Sequence, residues 1–169
     1  PGLRDLQQGS ALAELLAACN EVRGGTPLFL KVAPDLDAAT IDGVARAATE
    51  ARIGALVVGN TTVSRPGDLG SRHAVEAGGL SGRPLAPLAR QRLRDFRQAT
   101  GGAVPLVAVG GIGDAAEAYA RLRAGASLVQ LYTALAFAGP GLVWRIVREL
   151  DALLARDGFA TVIDAVGAD

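Results

Sequence analysis

Short apolar runs alternate along this chain with segments in which apolar residues recur at helical spacing. Four runs have the length and composition of strands: 28–33, 55–58, 106–109 and 128–131. Helical spacing predicts helices over 11–23, 36–52, 85–100, 114–123 and 142–155, and Asp37 is placed to cap the second of them. The predicted order is therefore one helix followed by four strand–helix units.

Strands that alternate with helices predict an α/β fold with a parallel sheet and right-handed crossovers. Because the strands are almost wholly apolar, we expect the sheet to be covered on both faces. Four such strands fit either a small doubly wound domain or half of an eight-stranded barrel, which takes ~250 residues, and periodicity leaves both open. In both folds the ligand lies at the carboxyl ends of the strands, so 31–35, 59–62, 110–113 and 132–134 are the candidate segments.

Length and charge narrow the function classes. The 169 residues suit one domain, and seventeen cationic against seventeen acidic side chains give zero net charge, which argues against a nucleic-acid-binding protein. Cys19, the single cysteine, excludes an internal disulfide and a cysteine metal cluster, and no apolar stretch approaches the ~20 residues of a membrane helix. His73 has no second histidine, so we expect an exposed loop residue and no metal site.

Lys31 stands inside the first predicted strand and is the one lysine among seventeen cationic side chains. Because the strand is apolar, its ammonium is expected to point toward a covered face of the sheet, where an unpaired cation is costly. One alternative is an interior ion pair with a carboxylate such as Asp35. The other is a cation offered to an electron-rich ligand, and the use of arginine everywhere else favours it.

Polar residues and glycines follow the other strands. The run 60–62, Asn-Thr-Thr, suits a small substrate with carboxylate or amide edges, or it simply begins a turn. Gly110 and Gly111 offer backbone N–H groups to a phosphate before a predicted helix, and 132–133 lies where barrels often bind phosphate. The segment 78–82, GGLSG, either clamps a cofactor through its amides or only bends a loop.

Two further features are predicted to be structural. Cys19 lies among apolar helical residues and is expected to be packed and inert. A solvated helix face is expected for four arginines of the segment 85–100: Arg90, Arg92, Arg94 and Arg97.

Six segments, read together, resemble the class 2, quinone-dependent dihydroorotate dehydrogenases. They are PGLRDLQ at 1–7, KVAPDL at 31–36, NTT at 60–62, GGLSGRPL at 78–85, VGGI at 109–112 and GASLVQLYT at 125–133. The resemblance implies an FMN-containing (β/α)8 TIM barrel, with residues 1–169 as the C-terminal half of a single domain and roughly the last four strand–helix units. It also implies oxidation of dihydroorotate to orotate, with electrons passed to a membrane quinone, in pyrimidine biosynthesis.

The resemblance assigns roles on the substrate side by position. Lys31 is similar to the family lysine that contacts the flavin ring, where a cation stabilises negative charge on the reduced ring. Asn60 and Thr61 match the substrate-binding pair. Gly59 stands where the family often has a threonine that contacts FMN, so the resemblance leaves this position only a backbone contact.

The remaining assignments concern the cofactor and the base. Gly82 and Gly111 match glycines that contact FMN, and Tyr132 with Thr133 match the dipeptide at the FMN phosphate. In the family, the proton-abstracting serine lies in a loop that directly precedes the segment beginning at Pro1. No catalytic residue is therefore assigned here, and the chain alone is expected to be inactive.

The same resemblance implies a peripheral position on the cytoplasmic side of the cell membrane. In the family, amphipathic N-terminal helices dock to the membrane and its quinone, and they would precede this chain, which we interpret as a fragment. Two other functions stay open from the residues: another FMN-dependent barrel oxidoreductase, and a non-catalytic module that binds a phosphate ligand.

Overall fold

The computed structural model describes residues 9–67 and 69–169, in which four strands alternate with helices. The strands are β1 (Phe29–Val32), β2 (Ala55–Val58), β3 (Leu106–Val109) and β4 (Ala126–Gln130). The helices are α1 (Gly9–Val22), α2 (Ala38–Glu50), α3 (Ala86–Ala99), α4 (Ala115–Arg123), α5 (Thr133–Ala138), α6 (Gly141–Arg156) and α7 (Val162–Ala165). A 3₁₀ turn, Arg83–Leu85, leads into α3. None of the helices described is both long and apolar enough to cross a membrane.

The four strands run parallel and neighbour one another in chain order, β1-β2-β3-β4. In this register Lys31 lies opposite Val57, and Val109 lies opposite Gln130. A doubly wound sheet reverses its strand order at a switch point, whereas a (β/α)8 barrel adds each new strand on the same side. The sequential order therefore identifies a barrel wall, the alternative that the resemblance favoured.

The two faces of the sheet differ in what covers them. On the outer face, Val32 and Leu56 pack with helical side chains such as Phe96 in one large core. The inner face has a smaller apolar cluster, made of Ala55, Val57, Val107 and Val109. Within the described residues no helical side chain joins that cluster, and Phe29 and Leu128 are 51% and 59% exposed. The prediction that both faces are covered is therefore wrong, because this face is a barrel interior.

Two aspartates fix where the helices after β1 and β3 begin. Asp37 Oδ1 accepts a hydrogen bond from the Thr40 N–H at 2.8 Å, which confirms the predicted cap. The Thr40 side chain and this N–H both lower the pKa of Asp37. Asp114 Oδ1 accepts from the Glu117 N–H at 2.8 Å and caps α4 in the same way. Both caps lie just beyond the carboxyl end of a strand, so they fix where the chain passes from the strand into the next helix.

The predicted element bounds agree with the structure where the apolar pattern is long or well delimited. Strands β2 and β3 have the predicted bounds, and the five longer helices begin and end within two residues of theirs. Strand β4 begins two residues earlier than predicted and ends at Gln130. Helices α5 and α7 were not predicted, because six and four residues are too few to show a helical period.

Helix α3 corrects the prediction of a solvated arginine face. Arg92 Nη1 donates to the Leu36 carbonyl at 2.7 Å, and Arg90 pairs with Glu117 of α4. Arg94 remains exposed, in agreement with the prediction. An arginine covers apolar surface with its stem while the guanidinium reaches a carbonyl or carboxylate on a neighbouring element. Arg90 and Arg92 therefore join elements instead of facing water.

Cys19 and His73 lie away from the strand ends. Cys19 is a free, half-buried thiol on α1, less fully packed than predicted. His73 is exposed in the loop between β2 and α3, as predicted, and its Nδ1 contacts the Glu76 carboxylate. Among the described residues no group of three histidine, cysteine or acidic side chains is arranged to hold a metal ion.

Candidate functional site

A cavity of about 690 Å³ lies at the carboxyl ends of the four strands. This volume is within the ~300 to 1,000 Å³ typical of small-molecule and cofactor pockets. All eight residues that the sequence analysis nominated line it: Lys31, Gly59, Asn60, Thr61, Gly82, Gly111, Tyr132 and Thr133. The structure therefore brings these eight residues together in one place.

Lys31 reaches the cavity from the inner face of β1. It lies beside Val57 in the register, while its chain neighbours Leu30 and Val32 pack on the outer face. Its side chain is exposed, which corrects the prediction of a covered ammonium, because no helix lies over the inner face in the described part of the chain. No ion pair joins Lys31 to Asp35 among these residues. The amine is therefore available to a ligand in the cavity.

The polar run after β2 divides into two parts. Asn60 and Thr61 line the cavity. Asn60 Oδ1 accepts a hydrogen bond from the Thr61 N–H at 2.9 Å, so the Asn60 amide nitrogen can donate to another partner. Thr62 is buried and structural: its hydroxyl donates to Asp35, and it accepts from the Ser64 N–H at 2.9 Å. The carboxylate of Asp35 thus holds the loop rather than a ligand of the cavity.

The GGLSG segment approaches this run from the other side of the loop. Thr62 and Leu80 exchange two backbone hydrogen bonds, of 3.1 and 2.8 Å. A Cβ at Gly79 would lie 2.0 Å from Thr61 Oγ1, so only glycine allows this approach. Further on, the Thr133 hydroxyl donates to Ser81 Oγ at 3.0 Å and ties the segment to the start of α5. The segment therefore both bends the loop and forms one wall of the cavity.

The glycine pair after β3 forms the opposite wall. A Cβ at Gly111 would lie 2.6 Å from the backbone of Ala86, and the residue has φ 76°, so the position excludes any side chain. Asp114 already caps α4, so a phosphate at that helix start would meet a carboxylate. The N–H groups of Gly111, Gly113 and Thr133 also line the cavity, and no hydrogen bond within the described residues uses them.

The residues that line the cavity also include three that were not nominated from the sequence: Arg83, Gln130 and Phe137. The predicted strand runs to residue 131 and so has Gln130 in its interior. Strand β4 ends at Gln130 instead, which places the Gln130 amide at the strand end. Phe137 lies on α5, which has no periodic signal, and it is exposed. For Gln130, period-two alternation with Leu128 was the available signal, since both face inward.

Comparison with known proteins gives the chain a family. A family model described as dihydroorotate dehydrogenase matches residues 1–154. Relatives named dihydroorotate dehydrogenase (quinone) include that of Sphingopyxis alaskensis, 58% identical over 99% of this chain, and that of Novosphingobium aromaticivorans, 54% identical over 100% of it. The matches cover 48% and 49% of those proteins. The chain thus spans about half the length of the curated relatives it matches.

Solved structures agree with this assignment. Two crystal structures of DHODH from Eimeria tenella, one in complex with ferulenol and one ligand-free, match with TM-scores of 0.95 and 0.93 at 35% and 36% identity. The matches cover 98% and 99% of this chain, and 50% and 52% of the chains in those two structures. The fold is therefore α/β, with four strand–helix units of the TIM-barrel kind.

Proposed function

The chain belongs to the dihydroorotate dehydrogenase family, and we propose that it forms the C-terminal half of the barrel of a quinone-dependent member. That enzyme removes two hydrogens from dihydroorotate, forming orotate, and a membrane quinone receives them, in pyrimidine biosynthesis. The observation that carries the proposal is the convergence of all eight nominated residues on one cavity at the strand ends.

The donors of the cavity fit FMN. A phosphate needs several N–H or hydroxyl donors and an absence of carboxylates, and Gly111, Gly113 and Thr133 offer unused N–H groups. The side-chain-free wall at Gly111 and Gly82 lets the backbone approach a ligand closely. We propose that Tyr132 and Thr133 hold the phosphate end and that the glycines contact the rest of the cofactor. When bound, FMN supplies a ring that accepts a hydride.

The residues nearest β1 and β2 have the chemistry for the ring and the substrate. We propose that the Lys31 ammonium lies against the ring and stabilises negative charge there, because no carboxylate of the described residues neutralises it. The Asn60 carboxamide and the Thr61 hydroxyl supply donors and acceptors for the carboxylate and amide edges of dihydroorotate. No residue of this chain is proposed as the catalytic base, and residues 1–169 alone are expected not to oxidise dihydroorotate. Membrane attachment is proposed to depend on segments outside this chain.

The test uses a fusion of residues 1–169 to the N-terminal half of the 58%-identical relative, below called the completed enzyme. We expect it to purify with bound flavin and to oxidise dihydroorotate with a quinone as acceptor. Replacing both Asn60 and Thr61 by alanine removes hydrogen bonds to the substrate, so we expect KM for dihydroorotate to rise about tenfold or more while the flavin content stays unchanged.

His73→Ala serves as the control, because this exposed loop residue contacts Glu76 and does not line the cavity. It is expected to leave KM and flavin content unchanged. A flavin-loaded completed enzyme that oxidises another substrate in preference to dihydroorotate would indicate a different FMN barrel. A folded completed enzyme without flavin would instead favour a module that binds another phosphate ligand.

A further inference from the structure

A buried arginine lies behind the glycine wall of the cavity. Arg121 of α4 is 0% exposed and is the largest fully buried side chain among the described residues. We propose that Arg121 is a positioning residue, which fixes the Gly110–Gly111 loop so that its N–H groups bind the phosphate of the flavin. This inference rests on the proposed function, since it concerns the same cavity.

One nitrogen of Arg121 bridges both sides of a close backbone contact in the cavity wall. Arg121 Nη2 donates to the Gly110 carbonyl and to the Ala86 carbonyl, each at 3.0 Å. At the same contact, Ala86 leaves no room for a Cβ at Gly111. The guanidinium therefore joins the glycine loop to the first residue of α3. Because Nη2 holds the Gly110 carbonyl behind the wall, it fixes the peptide plane that links Gly110 to the Gly111 N–H.

The charged groups behind the Gly110–Gly111 loop have a net positive charge. Arg121 Nε donates to Glu117 Oε1 at 2.7 Å, and Arg90 pairs with the other carboxylate oxygen of Glu117. Two cations thus share one anion. Burial lowers the pKa of Arg121, and the hydrogen bond to Glu117 acts in the opposite direction. An arginine guanidinium is charged at neutral pH. A positive group behind the loop favours an anion in front of it.

The hydrogen bonds of Arg121 are incomplete for a residue kept for stability alone. Its Nη1 is buried and has no acceptor among the described residues. A buried charge with unused donors is often no more stabilising than an apolar side chain of similar size. The geometry therefore favours a role in shaping the phosphate loop, which an apolar residue could not perform.

The experiment compares FMN with riboflavin, which lacks the phosphate, in the apo form of the completed enzyme. Dissociation constants are measured by the quenching of flavin fluorescence. Arg121→Met is expected to weaken FMN binding about 10- to 100-fold, the effect of losing a hydrogen bond to a charged group, and to change riboflavin binding less than about threefold. Arg94→Met on the exposed face of α3 is the matched control and is expected to change neither.

Arg121→Lys tests geometry separately from charge, because one ammonium cannot occupy both the position of Nε, which donates to Glu117, and the position of Nη2, which donates to the two carbonyls. We expect FMN binding to weaken several-fold with riboflavin binding and the melting temperature close to wild type. Equal losses for FMN and riboflavin in both variants would assign Arg121 to folding alone and overturn the inference, and so would unchanged FMN binding. If the wild-type completed enzyme bound no FMN at all, the proposed function itself would fail first.

Discussion

Gly111 and Gly59 both line the cavity, but the space around them differs. Changing Gly111 to alanine places a methyl group 2.6 Å from the Ala86 backbone at φ 76°. Left-handed strain of ~1 kcal/mol and overpacking of ~1 to 3 kcal/mol together predict a loss of about 2 to 4 kcal/mol in the free energy of unfolding. Because α3 or the loop must move, FMN affinity should fall as well. Urea unfolding and flavin titration of the completed enzyme measure the two effects.

Gly59→Thr is the matched control on the opposite wall. A Cβ at Gly59 would meet Pro34 at 3.5 Å, an ordinary van der Waals contact, and its φ lies outside the left-handed region. We expect the unfolding free energy to change by less than ~1 kcal/mol, and FMN to bind at least as tightly through the added hydroxyl. A Gly111→Ala variant as stable as Gly59→Thr would contradict the close packing described for Ala86.

At this scale the sequence indicates residues whose chemistry is unusual for their position. Lys31 stands out as a single lysine in an apolar strand, and Asn60 and Thr61 stand out as polar residues directly after one. Arg121 does not stand out, because an arginine on a helix of a chain with sixteen arginines looks solvated. Its burial depends on which carbonyls α3 and the loop bring near it, and such tertiary contacts leave no local pattern.

One carboxylate joins α4 to the end of α6, beside the apolar contact between Tyr119 and Leu154. Asp157 accepts from Tyr119 Oη at 2.8 Å and from Arg156 Nε at 2.7 Å, which lowers the pKa of Asp157 to about 2. A pKa below the ordinary 3.8 means that this carboxylate stabilises the fold fully above pH ~5 and less as pH falls toward 2. Asp157→Asn should therefore lower the melting temperature of the completed enzyme at pH 7.

The pH dependence distinguishes this interaction from a general loss of packing. The difference in melting temperature between wild type and Asp157→Asn should shrink steadily from pH 5 to pH 2, because the wild-type carboxyl also loses its charge there. Asp151→Asn on the exposed side of α6 is the control, since no ion pair involves Asp151 in the described residues. A difference that stays constant down to pH 2 would show that charge is not the cause.

At the level of elements, the bounds of a strand can be predicted from the sequence when a glycine or proline stands at each of its ends. Strands β2 and β3 are bounded by glycine or proline and were predicted to the residue. The bounds of β4 differ from the prediction because Ala126 and Ser127 carry no strand signal, whereas the apolar Leu131 extends the pattern past the end of the strand. The loop between β2 and α3 was predicted as a loop, but its path depends on Arg65, which donates to the carbonyls of Glu76 and Gly78 at 2.8 Å each.

The whole molecule presents an apolar barrel interior to solvent. Strands β1 and β4 each pair with one neighbour among the described residues, and Phe29 and Leu128 are largely exposed on the inner face. Unpaired strand edges and contiguous apolar surface promote association. We therefore expect residues 1–169 expressed alone to form dimers or larger species, as measured by light scattering coupled to size-exclusion chromatography.

Two substitutions of similar exposure distinguish the inner face from ordinary surface. Leu128→Lys places a charge on the inner face and on an edge strand, so it should reduce association of the isolated chain. Val63→Lys changes a loop residue after β2 that is 58% exposed and lies between two polar residues, and it should leave association unchanged. Adding the N-terminal half of the relative as a separate chain should convert the wild-type species into a one-to-one complex, because its strands pair with both edges. A monomeric chain with a sharp, reversible melt would contradict this account of the inner face.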